Sequence, residues 1–351
     1  MCIYLGEIEG LHYDSPDHII PAGLGGKIKL PSDYVSREFN NMSSKYEKVL
    51  LRSSILSLPR QLLGPGKRGS FDPKKATKSR VNVFSQYPET GLLSLGFIKM
   101  GKPFEIPHIF LNRKTGEVRV EMDKATTDIE LQEFKNQLCH FESLRIRLMK
   151  FSRLDSDSFL LGIKTGIEQN FDCFIASHDG KSNPFTAKAL TIVANTIENR
   201  TSFSDSASFK VTTHQSAELN EGYYRSCAKI AFNCLAYIAG KTYVSNEMFD
   251  PIKKWLVEGG ENIFVDILPN YKSSIQRIFP EDSHQVVITK IDKELIADVC
   301  FYNYFHNKVR IATNFNESFK INGFICNWKE KKEYTLYDFL GGSLIKERMI
   351  L

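Results

Sequence analysis

Three observations predict an α+β fold: strand-like alternation through the middle of the chain, one long helix with apolar residues on nearly all sides from Ala228 to Ala239, and a closing stretch that reads as an antiparallel meander. The chain opens with a short strand around Cys2–Leu5 and passes through "DHIIPAGLGG", Asp17 to Gly26. A helical pattern follows from about Asn41 to Leu58, with Pro59 expected to stop it. "GPGKRGSFDPKKATKSR", Gly64 to Arg80, has no apolar periodicity and reads as a basic loop or linker. Next come the strand candidates "LLSLGFIKM", "HIFLNRKTGEVRVEM" with a "KTG" turn, and "FLLGIKTGIEQNFDCFIAS". Among them "DIELQEFKNQLCHFESLRIRLMK" spaces its apolar residues by three and four, which predicts a helix. After about residue 205, "NEGYYRSCAKIAFNCLAYIAGK" predicts a buried spine helix ended by Gly240, and "NEMFDPIKKWLVEG" a second helix. "HQVVITKIDKELIADVCFYNYFHNKVRIATNF" then supplies the meander that covers the spine. The expected division is 1–62, a basic linker 63–80, an α+β middle 81–204, and a spine-plus-strand region 205–351.

At 351 residues, 42% hydrophobic and 25% charged, the composition is that of an ordinary globular protein, which excludes wholesale disorder and fibrous repeats. No apolar run approaches the roughly 20 residues of a membrane-spanning helix, and no basic-then-apolar signal opens the chain, so no membrane partner and a cytoplasmic location are expected. The seven cysteines, at 2, 139, 173, 227, 234, 300 and 326, form no CxxC pair. That spacing argues against a disulfide framework and an intact zinc ribbon. Charge is uneven: Lys27 to Arg80 holds thirteen Lys and Arg against four acids, a local +9 in a chain of net +5. Such a basic end suits a phosphate-bearing partner. Lys27, Lys29, Lys45, Lys67, Arg68, Lys74 and Lys75 are the candidate nucleic-acid contacts within it.

The Asp17-His18 pair lies in this basic end, and "SREFNNMSSKYEKVLL" follows about twenty residues later. A histidine on a short strand, a loop, then asparagine at a helix entry resembles the HNH endonuclease family. The subgroup concerned reads roughly CxxC, acid-His-Ile-Ile-Pro, an "LGG" loop, and CxxCNN leading into a helix. "CIYLGE", "DHIIPAGLGGKIKLP" and "SREFNNMSSKYE" carry the resemblance over about the first 50 residues. "AKIAFNCLAYIAGK" with "FDPIKKWL" also resembles a helical segment found downstream in larger bacterial proteins of that subgroup.

The resemblance implies an N-terminal ββα-metal nuclease module with a larger α+β region behind it, hydrolysing phosphodiester bonds of double-stranded DNA with one Mg²⁺ or Mn²⁺ ion. It implies His18 as the general base, Asp17 as a metal ligand, and Asn40 as the residue that stiffens the histidine's loop. Asn41 and Glu47 are alternative helix ligands. Outside the resemblance, Glu47 three residues after Ser44 fits a capping box, and Asn40 and Asn41 are ordinary helix-start residues. His12 is expected on the surface. The "GLGG" glycines are expected to let the loop pass close to the site or to substrate.

Where the family places four zinc-binding cysteines, this chain has Cys2, Leu5, Ser36 and Phe39. No structural zinc is therefore expected, with Leu5 and Phe39 packing the knuckle together instead. The C-terminal region is expected to recognise DNA, sense a signal, or form a homodimer, since one active site cuts one strand. A restriction or defence role is implied at family level only. The competing reading is a degenerate module that grips DNA or another partner without cutting.

Overall fold

The computed structural model describes residues 1–71, 82–86, 93–99, 102–122, 127–163, 172–197, 212–214, 219–269, 271 and 275–342. The chain forms two compact units, Met1–Lys78 with Ala217–Leu351, and Ser79–Ser216.

In the first unit the opening residues form a turn rather than a strand: the Cys2 and Gly6 N–H groups each donate to the other's carbonyl at 2.9 Å. Helix α1 runs Arg37–Arg52, earlier than its apolar pattern suggests, because the Ser36 hydroxyl caps it by accepting from the Phe39 N–H. Phe39, Ser43, Tyr46 and Leu50 form its buried face. The helix stops well before Pro59. That proline sits in the first turn of a second helix, α2 (Ser57–Leu63), where its missing N–H has no partner to lose.

The second unit holds a four-stranded antiparallel sheet of β1 (Asn82–Gln86), β2 (Leu93–Lys99), β3 (Lys102–Glu105) and the later β9 (Thr212–His214), in the order β3-β2-β1-β9. A five-stranded sheet contains β4 (His108–Asn112), β5 (Glu117–Glu121), β6 (Ile146–Lys150), β7 (Ser158–Ile163) and β8 (Cys173–Ser177), ordered β5-β4-β7-β8-β6. Gly116, at φ 71°, makes the turn between β4 and β5. Helices α3 (Asp128–Cys139) and α4 (Ala187–Thr196) pack on one face, sharing a core of Phe134, Leu138, Leu161, Ile175 and Leu190. The predicted helix through Lys150 is half right. It ends at Cys139, and the segment beyond it becomes β6, parallel to β8. The apolar spacing had already changed there, since Leu144, Ile146 and Leu148 alternate with a period of two.

The chain then returns to the first unit with α5 (Glu221–Ala239), capped by Asn220, whose side chain accepts from the Tyr223 N–H. Every residue from Arg225 to Ala236 is buried. The reason is that α1 packs on one side of α5 and a six-stranded antiparallel sheet on the other. Short helix α6 (Lys241–Val244) and α7 (Asp250–Glu258) lead into that sheet. Its strands are β10 (Val265–Leu268), β11 (Ser283–Ile291), β12 (Glu294–Phe301), β13 (Phe305–Ala312), β14 (Asn322–Asn327) and β15 (Lys332–Thr335), ordered β10-β13-β12-β11-β14-β15.

Residues 1–62 and 205–351 were expected as separate regions, but they share a single core. Ile3, Ile19, Phe39 and Leu50 belong to the same buried cluster as Phe232, Leu235, Val299 and Phe324. The apolar face of α1 has α5 as its partner and no core of its own.

His284 on β11 is fully buried, its Nδ1 accepting from the Tyr302 N–H at 3.0 Å. Burial pushes its pKa from 6.5 down to about 3, only partly offset by the Leu24 carbonyl. Between those two values the unfolded chain binds a proton that the folded chain refuses. Stability from this group is therefore complete above pH 6.5 and falls by about 1.4 kcal/mol per pH unit below it. Urea denaturation at pH 7 and pH 5 should show this loss in the native chain and less of it in His284→Phe; equal loss in both would exclude His284 as its source.

Candidate functional site

The Asp17-His18 segment is anchored from two directions. On one side, loop 12–15 is tied to the first turns of α1. The Arg37 N–H donates to the His12 carbonyl at 2.7 Å and Arg37 Nε to Asp14 Oδ1 at 2.7 Å. Asn40 Nδ2 donates to the Ser15 carbonyl at 2.7 Å, two residues before Asp17. His12 is exposed and pairs with Glu38 at 2.9 Å. On the other side, His18 bridges Lys29 across a short antiparallel pairing, flanked by Ile19 N–H to the Ile28 carbonyl and Leu30 N–H to the Asp17 carbonyl.

The glycines serve this fold rather than an open surface. A Cβ on Gly26 would lie 1.8 Å from the Ile20 carbonyl oxygen, and Gly25, at φ 96°, sits against Trp328.

Asp17 is buried and its carboxylate is fully engaged. Oδ1 accepts from the His18 N–H at 2.9 Å; Oδ2 accepts from Asn233 Nδ2 at 2.9 Å and from Lys229 Nζ at 2.7 Å. The same Lys229 ammonium donates to Glu47 Oε1 at 2.7 Å. Side-chain exposure is 4% for Lys229, 8% for Asp17 and 27% for Glu47, so this three-residue bridge opens to solvent only at the Glu47 end. Burial opposes the charge on Lys229, yet the two carboxylates outweigh it and hold the pKa above its ordinary value.

Asn233 Nδ2 also donates to the His18 carbonyl at 2.9 Å, while its Oδ1 accepts from the Tyr4 hydroxyl at 2.6 Å. Burial, with Asp17 next, raises the Tyr4 pKa and keeps that hydroxyl protonated. The Tyr4 ring lies flat on Phe39, with centroids 3.8 Å apart. This stack joins the two halves of the knuckle. Leu5 is only partly buried, Cys2 Sγ accepts from the Ser36 N–H at 3.5 Å, and all seven cysteines are free thiols.

The His18 imidazole is half-buried. Burial lowers its pKa, the Lys29 ammonium lowers it further, and Asp17 and Glu47 offset part of that. A histidine so held is neutral near pH 7 and able to accept a proton.

Of the predicted site residues, the fold thus brings together Asp17, His18 and Glu47 and braces them with Asn40. Asn41 is exposed, and its carbonyl accepts from the Ser44 hydroxyl. Ser44 is mid-helix, so Glu47 serves no capping box; its carboxylate is held by Lys229 instead. Lys29 and Lys45 are exposed, and Lys27 is tied to the Lys331 carbonyl and Glu333. Arg68 is exposed in a tight turn at φ 53°. The side chain of Lys67, and Lys74 and Lys75 altogether, lie outside the described residues.

Lys229, Asn233 and Tyr4 lie in stretches quoted above, but no sequence reading gave these three residues a role in the site. The one signal is "KIAFN": a lysine and an asparagine four apart, on one face of an otherwise apolar helix.

Two carboxylates converge on one cation here, and that cation is the Lys229 ammonium. Among the described residues no group of three or more His, Cys, Asp or Glu is placed to hold a metal ion.

No protein-family model matches this chain, and no curated protein or solved structure matches it either. Among the described residues no helix is long and apolar enough to cross a membrane.

Proposed function

We propose that this chain is an HNH-type endonuclease that hydrolyses phosphodiester bonds of double-stranded DNA at the Asp17-His18 site. The observation that carries this reading is the neutral, half-exposed His18 imidazole, held next to a two-carboxylate cation position by a loop braced through Asn40.

His18 takes the proton of a water as its oxygen bonds to phosphorus; the opposite P–O bond breaks, and the leaving oxygen takes a proton from solvent. Asn40 is a positioning residue that holds the backbone carrying the base. Asn233 does the same from α5 through the His18 carbonyl. Exposed Lys29 and Lys45 would meet the DNA phosphates. Asp17 and Glu47 would hold Mg²⁺ or Mn²⁺, whose chemistry when bound is to offset charge on the phosphate.

A second reading, a module that binds DNA without cutting, is favoured by the grip of Lys229 on both carboxylates. Supercoiled plasmid incubated with Mg²⁺, with Mn²⁺ or with chelator separates the two. Metal-dependent nicking is expected, reduced by about 10²–10⁴-fold in His18→Ala with DNA binding retained. Binding without cutting by either protein would support the second reading and discard the first.

A further inference from the structure

We propose that Cys300 is a reactive centre of its own, a thiol that hydrogen peroxide oxidises to the sulfenic acid while His306 takes its proton. It shares no residue with the Asp17-His18 site. Along β12, Ala297, Val299 and Phe301 belong to the core that α5 fills, so Asp298 and Cys300, one step out of phase, point to the other face of the sheet. The strand register then sets His306 of β13 directly across from Cys300.

The three side chains form a relay. His306 Nδ1 lies 3.0 and 2.9 Å from the two Asp298 carboxylate oxygens, and its Nε2 lies 3.5 Å from Cys300 Sγ. A carboxylate only accepts, so Nδ1 carries the proton of the neutral ring and Nε2 keeps a lone pair facing the thiol. Nucleophile, base and orienting acid in that order are the arrangement that activates a cysteine. Burial raises the Cys300 pKa, Asp298 adds to the rise, and the Tyr304 N–H, donating to the sulfur, offsets part of it. The group therefore rests as a thiol and becomes a nucleophile only as His306 removes its proton.

A partly open cavity of about 10 Å³ adjoins the relay, lined by Cys300, His306, Asp298, Gln276, Phe279 and Gln285. That is room for about one water, which admits an oxygen of hydrogen peroxide and excludes an acyl group or a bulky hydroperoxide. In the step, His306 Nε2 takes the thiol proton, the sulfur bonds to one peroxide oxygen, and the O–O bond breaks. The leaving hydroxide takes the proton from Nε2 and departs as water. The sulfur is oxidised to the sulfenic acid and the peroxide is reduced. His306 is thus a catalytic residue, and Asp298, which acts through it, is a positioning residue.

For the test, the full-length chain is treated with hydrogen peroxide, the peroxide is removed, and the chain is unfolded in dimedone so that mass spectrometry reads sulfenic acid at each cysteine. Cys300 is expected to be labelled at least about tenfold faster than Cys227 and Cys234, which are buried on α5, and His306→Gln to slow it by at least about tenfold. Labelling no faster than at Cys234, or unchanged in His306→Gln, would overturn the proposal. A second arm needs no variant. On the native chain tert-butyl hydroperoxide is expected to oxidise exposed Cys139 and to spare Cys300, whose cavity is water-sized. A Cys300 as reactive toward the bulky reagent as toward hydrogen peroxide would contradict it. In ¹⁵N spectra His306 should carry its proton on Nδ1, with Asp298→Ala shifting it toward Nε2; a native ring protonated at Nε2 would remove the base and end the proposal.

Discussion

Replacing Lys229 with alanine is expected to destabilise the fold by about 3–5 kcal/mol in chelator, measured by urea denaturation at neutral pH. The native ion pair is not itself the source of most of that figure, because desolvating three charged groups costs about as much as their attraction returns. The loss arises when one partner is removed. Asp17, 8% exposed, would be left with only the His18 N–H and Asn233 as described donors, and Glu47 would lose its Lys229 partner. A loss below about 1 kcal/mol, the range of exposed pairs, would mean that water reaches these carboxylates freely.

Phe39→Ala should cost a similar amount, about 3–5 kcal/mol, for a different reason. The ring is 1% exposed and lies flat on Tyr4, so its removal opens a cavity at the centre of the knuckle and forfeits an aromatic pair. The effect reaches the site through Tyr4, whose hydroxyl holds Asn233, which in turn holds the His18 carbonyl. Phe39→Leu retains much of the apolar volume and should recover at least half of the loss in the same denaturation series. If Phe39→Leu is as damaging as Phe39→Ala, shape of the ring and not filled volume governs the knuckle.

What the sequence made legible was local. The spine helix showed in its all-round apolar run, with Gly240 as its end, and the Asp17-His18 pair stood out by its neighbours "IIP" and "LGG". Helix limits failed where local signals competed. Pro59 is as good a helix opener as a helix stop, and Ile146–Lys150 became a strand because β8 offered it a parallel partner that no nearby residue announces. The site was half legible for the same reason. Lys229 lies 182 residues from Glu47, and no periodicity relates two side chains that meet only when α5 packs on α1. A helix read as apolar on nearly all sides gives no reason to single out its lysine and asparagine. They are the two polar groups that complete the network beneath the histidine.

The first unit is also discontinuous in the chain: Met1–Lys78 must be joined by Ala217–Leu351 before its core closes. During synthesis the opening segment emerges long before α5, so Ile19, Ile20 and Phe39, all buried in the finished fold, leave the ribosome without their partners. At the usual elongation speed of about 5–20 residues per second, this apolar surface waits many seconds while the intervening unit is made and folds. Birth order thus makes Tyr4, Asp17 and His18 the first site residues translated and among the last to be assembled.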